Sequence, residues 1–149
     1  MTRPFSAFNF SIEITPDGDS TPLCDAAFSE CDGLEMTLDV KTIREGGNNG
    51  RQVRLAGAAG YGQLTLKRGM TAGFDLWRWF ERTIREPATR ASGEVVVYAQ
   101  DGVTRQAVFT LERCLPVKVK APPLNAREGV VAIEELQVAY ESLRLRDDA

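Results

Sequence analysis

The sequence predicts a mainly β protein with one α-helix, a small β-barrel or sandwich of six to eight strands with a helical cap. Two-residue alternation of apolar and polar side chains recurs along the chain, the period that gives a strand one buried face. Turn-forming clusters such as Pro16-Asp17-Gly18-Asp19 and Asp101-Gly102 punctuate the alternating stretches. One stretch alone, 72–85, changes to the three-four spacing of an amphipathic helix.

The first strand is Phe8-Asn9-Phe10-Ser11-Ile12-Glu13-Ile14, with Phe8, Phe10, Ile12 and Ile14 on one face. Residues 27–45 hold a second extended region in which Leu34, Met36, Leu38 and Val40 alternate with Glu35, Thr37, Asp39 and Lys41, and Asp32-Gly33 ahead of it marks a bend or bulge. Glu45-Gly46-Gly47-Asn48-Asn49-Gly50 is almost pure turn chemistry, and Arg51-Gln52-Val53-Arg54-Leu55 resumes the strand, so the whole reads as a long hairpin. Gly57-Ala58-Ala59-Gly60-Tyr61-Gly62 lacks the Lys and Ser or Thr of a phosphate loop and is followed by the alternating Gln63-Leu64-Thr65-Leu66-Lys67. It reads as a flexible link between two strands.

In the helix, Phe74, Trp77 and Ile84 fall near one face with Leu76 and Phe80 beside them. These five are the expected core-facing residues, and Trp77 and Trp79 read as core rather than as a stacking platform. Thr71 is the expected N-cap, Asp75 suits the first turn, and Pro87 ends the helix. Glu94–Ala99 and Val103–Leu115 then form a hairpin about a two-residue Asp101-Gly102 turn. Leu115–Pro123 is extended and proline-limited, as in a crossing or edge segment. Val131–Leu145 closes the chain as a strand, with a bulge expected where the apolar phase shifts at Glu134-Glu135.

The 149 residues carry 43% hydrophobic and 26% charged side chains, the balance of a single globular domain spanning 1–149. A chain of this size hides roughly 68–70% of its unfolded surface. A formal charge of −3, with short basic runs interleaved with acids, gives no basis for nucleic-acid specificity. Three cysteines, Cys24, Cys31 and Cys114, show no paired spacing; Cys31 and Cys114 read as small buried hydrophobes of a reducing compartment. No signal peptide and no apolar run long enough for a membrane anchor are legible, so synthesis in the cytoplasm is expected.

The composition also excludes much chemistry. There is no histidine, which removes the commonest general base and metal ligand. No CxxC spacing suggests a metal, and no cofactor motif is present. Glu13, Glu35, Asp39, Glu94, Glu112, Glu134 and Glu141 fall largely on polar strand phases and read as solvated surface. The expectation is a protein that is not an enzyme.

The ordered set of segments is itself informative. Phe-x-Phe-x-Ile near the start, Cys31-Asp32-Gly33-Leu34-Glu35-Met36, the glycine-rich hairpin and Gly62-Gln63-Leu64-Thr65-Leu66-Lys67-Arg68-Gly69 before the tryptophan-bearing helix follow one another. Ala121-Pro122-Pro123-Leu124-Asn125-Ala126 and Val131-Ala132-Ile133-Glu134-Glu135-Leu136 with Tyr140-Glu141 complete the set. Over roughly residues 5–145 the chain resembles the tail-tube family of contractile phages and extracellular contractile injection systems.

That resemblance implies a tail-tube-like subunit that forms homohexameric rings, stacked into a hollow tube that is expelled when a surrounding sheath contracts. It implies as partners the chain itself, sheath subunits, baseplate or tube-initiator proteins and tail-terminating proteins, with effector cargo in the lumen. The ring-stacking role falls on the hairpin Glu45, Gly46, Gly47, Asn48, Asn49, Gly50 and Arg51. Polar strand faces would line the lumen. A tube-initiator subunit of the baseplate, sharing the fold, is the alternative; a stand-alone small-ligand-binding β-barrel is a third reading.

Overall fold

A computed structural model describes residues 9–23, 28–44, 50, 52–70, 73–127, 129 and 131–146. Among them are nine strands and one helix, in the order β1 (Phe10–Pro16), β2 (Glu30–Asp32), β3 (Met36–Arg44), β4 (Gln52–Tyr61), β5 (Gln63–Gly69), α1 (Asp75–Arg85), β6 (Ala91–Tyr98), β7 (Arg105–Lys120), β8 (Ile133–Ala139) and β9 (Ser142–Arg146). A seven-stranded sheet runs β1-β6-β7-β8-β5-β2, with β9 added along β7, and β3 and β4 form a separate two-stranded sheet. All pairings are antiparallel. The large sheet does not close on itself: β1 and β2 stand at its two ends.

The long strand β7 organises this arrangement. Its first part, to Cys114, pairs with β6 on one side and from Val108 to Glu112 with β9 on the other. From Leu115 onward it pairs with β8. The 115–120 stretch is therefore a continuation of the return strand, and β7 crosses from one half of the sheet to the other. Pro116 is tolerated because β6 has ended by then, leaving β7, among the described residues, a strand partner on the β8 side alone. Arg113 takes a positive φ of 54° at the crossing. Opposite it the closing strand breaks at Tyr140-Glu141, between β8 and β9. The interruption is thus at Tyr140-Glu141 and not at Glu134-Glu135, because the irregularity resides in the facing strand.

Residues from both halves of the sheet meet in one core. Ile12 and Ile14 of β1 and Val95 of β6 join Leu64 and Leu66 of β5 and Leu136 and Val138 of β8, so the sheet must curl over on itself. Phe10 packs against the same cluster, as the alternation in β1 requires; Phe8 lies outside the described residues. The helix covers the core with Leu76 and Trp79.

The helix differs in phase from the expectation. Leu76 and Trp79 are buried and Phe80 and Thr83 half-buried, whereas Phe74 is 43% and Ile84 66% exposed. The buried face runs 76, 79, 80, 83, and Ile84 falls beyond it. Phe74 is instead the N-cap, in a left-handed conformation at φ 53° with no side-chain cap; Thr71 lies outside the described residues. The half-buried Trp77 turns its indole to the sheet, donating from Nε1 to Glu134 Oε2 at 3.0 Å.

Glu134 is the second departure. It shares the inward phase of Leu136 and Val138 and is 2% exposed, while Ile133 faces out. The cause is Arg68, 4% exposed and directly opposite Glu134 in the β5–β8 register. Arg68 Nε donates to Glu134 Oε1 at 2.7 Å, and its guanidinium also bonds the Asp75 carboxylate and lies over the Phe28 ring. Asp75 in turn accepts the Leu76 N–H at 3.0 Å in the first helical turn. One guanidinium thus ties β5, β8 and α1 together.

Two connections differ from what their residue types suggest. The β6–β7 connection occupies 99–104, because Asp101 accepts from the Val103 and Thr104 N–H groups and the Thr104 hydroxyl and organises a wider turn. Gly57–Tyr61 is not a link: it is ladder, with Gly60 opposite Thr37 and Ala59 opposite Leu38.

Two predictions follow from the core. Arg68→Met leaves the buried Glu134 carboxylate uncompensated and should cost about 3–5 kcal/mol by urea unfolding, against a few tenths for an exposed control such as Lys118→Ala. Burial is the chief cause that raises the Cys31 thiol to about 11 and the Cys114 thiol to about 12, from 9.0. The folded chain therefore holds these protons more tightly than the unfolded chain. That contribution to stability is complete below pH 9.0 and lost as pH rises through about 11 to about 12. Mass mapping after iodoacetamide at pH 8 should find both thiols unmodified in the native protein and modified in urea.

Candidate functional site

The β3–β4 arm is where the fold leaves its chemistry unfinished. Among the described residues these strands pair with each other and with no other strand, and every residue of β3 is exposed. Met36, Leu38 and Val40 are 65%, 56% and 57% exposed, and Ile43 and Leu55 are exposed as well. A two-stranded ribbon is marginal on its own in water, and contiguous exposed apolar surface marks an interaction site.

The register divides this apolar surface into two patches. Leu38 faces Ala59 and Val40 faces Ala56, so β4 carries one residue more than β3 between these pairs. Met36, Leu38 and Val40 with the two alanines form one face near the root. Toward the tip, Ile43 lies opposite Val53 and Lys41 opposite Leu55, on the other face. Gly57 belongs to the bulge: a Cβ there would meet the Asp39 carbonyl oxygen at 3.0 Å.

The root is anchored from the body. Gly33 takes φ +103°, and its backbone passes so close to the Gln63 carbonyl that a Cβ could not be accommodated. The Tyr140 hydroxyl donates to the Gly33 carbonyl at 2.7 Å and accepts the Glu35 N–H at 3.2 Å. The tip residues Glu45, Gly46, Gly47, Asn48, Asn49 and Arg51 lie outside the described residues, and Gly50 sits in a turn. Sequence reasoning singled out this tip and passed over the strands that carry the exposed apolar side chains. The legible signal was the apolar alternation of Met36, Leu38 and Val40, with only alanines opposite Leu38 and Val40.

Elsewhere, the outer edges of β1 and β9 have no strand partner among the described residues, and Leu124 and Val131 are exposed beside a shallow cleft formed with Pro122, Pro123 and Ile133. Among the described residues no group of three or more His, Cys, Asp or Glu could hold a metal ion. No helix among them is long and apolar enough to cross a membrane. Such an arrangement presents surfaces for protein contact.

Comparison with known proteins agrees with that character. Residues 6–144 match the family model described as T4-like virus tail tube protein gp19. A chain in the six-fold symmetrised baseplate of the anti-feeding prophage is 28% identical, superposes with a TM-score of 0.85, and is matched over 98% of this chain and 97% of that one. A chain in the sheath–tube complex of the PVC extracellular contractile injection system, in the extended state, is 15% identical, with a TM-score of 0.82 over 97% of this chain and 92% of that one. Hcp1 of Flavobacterium johnsoniae shares the fold more distantly, at 14% identity and a TM-score of 0.54 over 92% and 95% of the two chains. No curated protein sequence matches the chain. The match over residues 6–144 places the chain in the T4-like tail tube protein family.

Proposed function

We propose that this chain is a non-enzymatic structural subunit of the inner tube of a contractile injection system or phage tail. In this reading six copies close into a ring through head-to-tail contacts, and rings stack axially into a hollow tube expelled on sheath contraction. Heterologous contacts close when their rotation completes a circle, while axial stacking leaves growth open. Sheath subunits surround the tube, baseplate and terminating proteins bound its ends, and effector cargo occupies its lumen.

The observation that carries the proposal is the β3–β4 arm, whose apolar faces find no cover among the described residues. Met36, Leu38 and Val40 are each a little over half exposed. Burial against other copies would return about 1–2 kcal/mol for each. The tip, Glu45–Arg51, would reach the adjacent ring.

A second reading has its own support. The identity is 28% to a chain in a baseplate structure and 15% to a chain in a sheath–tube complex. This favours a position at the baseplate end, where a subunit of the same fold initiates the tube.

Negative-stain imaging and sedimentation test both. Purified protein should form six-membered rings, and a strictly monomeric species at high concentration would overturn the proposal. Stacks that lengthen with concentration indicate a tube-body subunit; rings that extend only when separate tube subunits are added indicate an initiator. Leu38→Lys, on the exposed arm, should change monomer stability by no more than about 0.5 kcal/mol and abolish assembly; wild-type assembly by this variant would remove the arm from the interface.

A further inference from the structure

We propose that Tyr140 is a positioning residue that sets the direction in which the β3–β4 arm leaves the body, an inference that rests on reading the arm as an assembly surface. Among the described residues the arm pairs with no other strand, so its angle is set where its two strands join the body. Tyr140 holds both of them. Its hydroxyl bonds the segment leading into β3, donating to the Gly33 carbonyl at 2.7 Å and accepting the Glu35 N–H at 3.2 Å, with the Glu35 carbonyl also 3.2 Å away. Its ring meets Tyr61, the last residue of β4, with centroids 5.8 Å apart and planes inclined by 53°.

The neighbouring geometry reinforces the grip. Gly62, directly after β4, donates its N–H to the Glu35 carbonyl at 3.3 Å, closing the root of the arm across both strands. Gly33 allows the incoming backbone to lie against Gln63, where a side chain would push it away. Tyr140 itself is only 6% exposed and stands at the break between β8 and β9, opposite the positive-φ residue Arg113 of β7. It therefore transmits the position of the sheet's central strands to the arm. A hydroxyl that serves as donor and acceptor to one three-residue segment fixes that segment's orientation, which apolar packing alone leaves free to slide.

The position of Tyr140 has a consequence for assembly. An arm held at one angle meets its neighbour already ordered, whereas a swinging arm must lose that freedom on each contact. Removing the hydroxyl while keeping the ring should therefore harm assembly out of proportion to its effect on the fold.

The test uses Tyr140→Phe in the full chain, with spin labels attached through encoded ketone side chains at the exposed positions Lys41 and Arg78, which spares the native thiols. Distances are recorded at a concentration where the wild type is dispersed, so this readout does not depend on assembly. The variant should keep the wild-type circular dichroism spectrum and lose no more than about 5 °C in Tm. Its arm-to-body distance distribution should broaden, and the concentration for half-assembly should rise at least about tenfold, equivalent to ~1.4 kcal/mol of added ordering cost. A distribution of wild-type width, or a broadened one with an unchanged assembly threshold, overturns the inference. Should Tyr140→Phe fail to fold, Tyr61→Leu removes the second grip from the arm's own side: broadening in a folded Tyr61→Leu protein supports the inference and wild-type width overturns it. Failure of the wild type to assemble would count against the tube reading, while the distance measurement would still judge the grip.

Discussion

The fold depends on a single constraint: β7 must serve both halves of one sheet. Its 16 residues pair with β6 and β9 before the crossing and with β8 after it. A flat ribbon of that length could not do this while putting Ile12 and Leu66, from opposite halves of the sheet, into one core. At the crossing Arg113 takes a positive φ, which is unfavourable for a side chain larger than glycine and persists only where surrounding contacts outweigh it. Those contacts are present. Arg113 Nε bonds Glu141 Oε2 at 2.8 Å, and the Glu141 N–H donates to the Glu112 carbonyl at 3.0 Å across the break.

With the sheet bent, the helix needs a way to lie on it in one orientation. Apolar contact through Leu76 and Trp79 supplies attraction but little direction. Direction comes from the polar cluster: Arg68 joins Glu134 and Asp75, and Trp77 closes it on Glu134. Two charges taken out of water gain little net stability over well-packed hydrophobes, yet each becomes costly when its partner is displaced. A helix shifted by one residue along the sheet would separate Asp75 and Trp77 from their partners. The cluster thus makes alternative seatings expensive rather than making the chosen one exceptionally stable.

How much of this was legible follows from whether the cause was local. β1 and the existence of a helix over 75–85 were readable because alternation and three-four spacing are properties of the segment itself. The helix phase was not, since large aromatic residues lie on several sides of α1 and only the sheet decides which are covered. Glu134 looked like surface because its partner, Arg68, is 66 residues away in sequence. The break in the closing strand was displaced for the same reason, its cause lying in β7. Gly57–Tyr61 looked like a link because glycine and alanine are poor strand formers in isolation; here small residues permit the close approach of β3 at the bulge. The arm is legible as a hairpin, and its glycine-rich tip is the conspicuous part, because turn chemistry shows in a sequence and exposure of strand side chains does not.

The arm makes the chain intelligible as a part rather than a whole. A monomer selected for solubility on its own would carry charges on a long unpaired ribbon, the usual defence of exposed strands. Here Lys41, Arg44 and Arg54 share the ribbon with Met36, Leu38, Val40, Ile43 and Leu55, so the defence is incomplete and the apolar residues fall into two patches on opposite faces. One flat partner could cover only one of them. On β3 the apolar phase changes between Val40 and Ile43, and the bulge, the extra β4 residue between the Leu38–Ala59 and Val40–Ala56 pairs, makes β4 follow it, putting Ala59 and Leu55 on opposite faces; Gly57 lets β4 lie close against Asp39 there. A sequence under pressure only to form a hairpin has no need of that bulge. Its presence, together with an arm root gripped by a buried tyrosine, is consistent with a ribbon shaped to fit between two surfaces at a set angle, a requirement that arises in an assembly and not in a solitary domain.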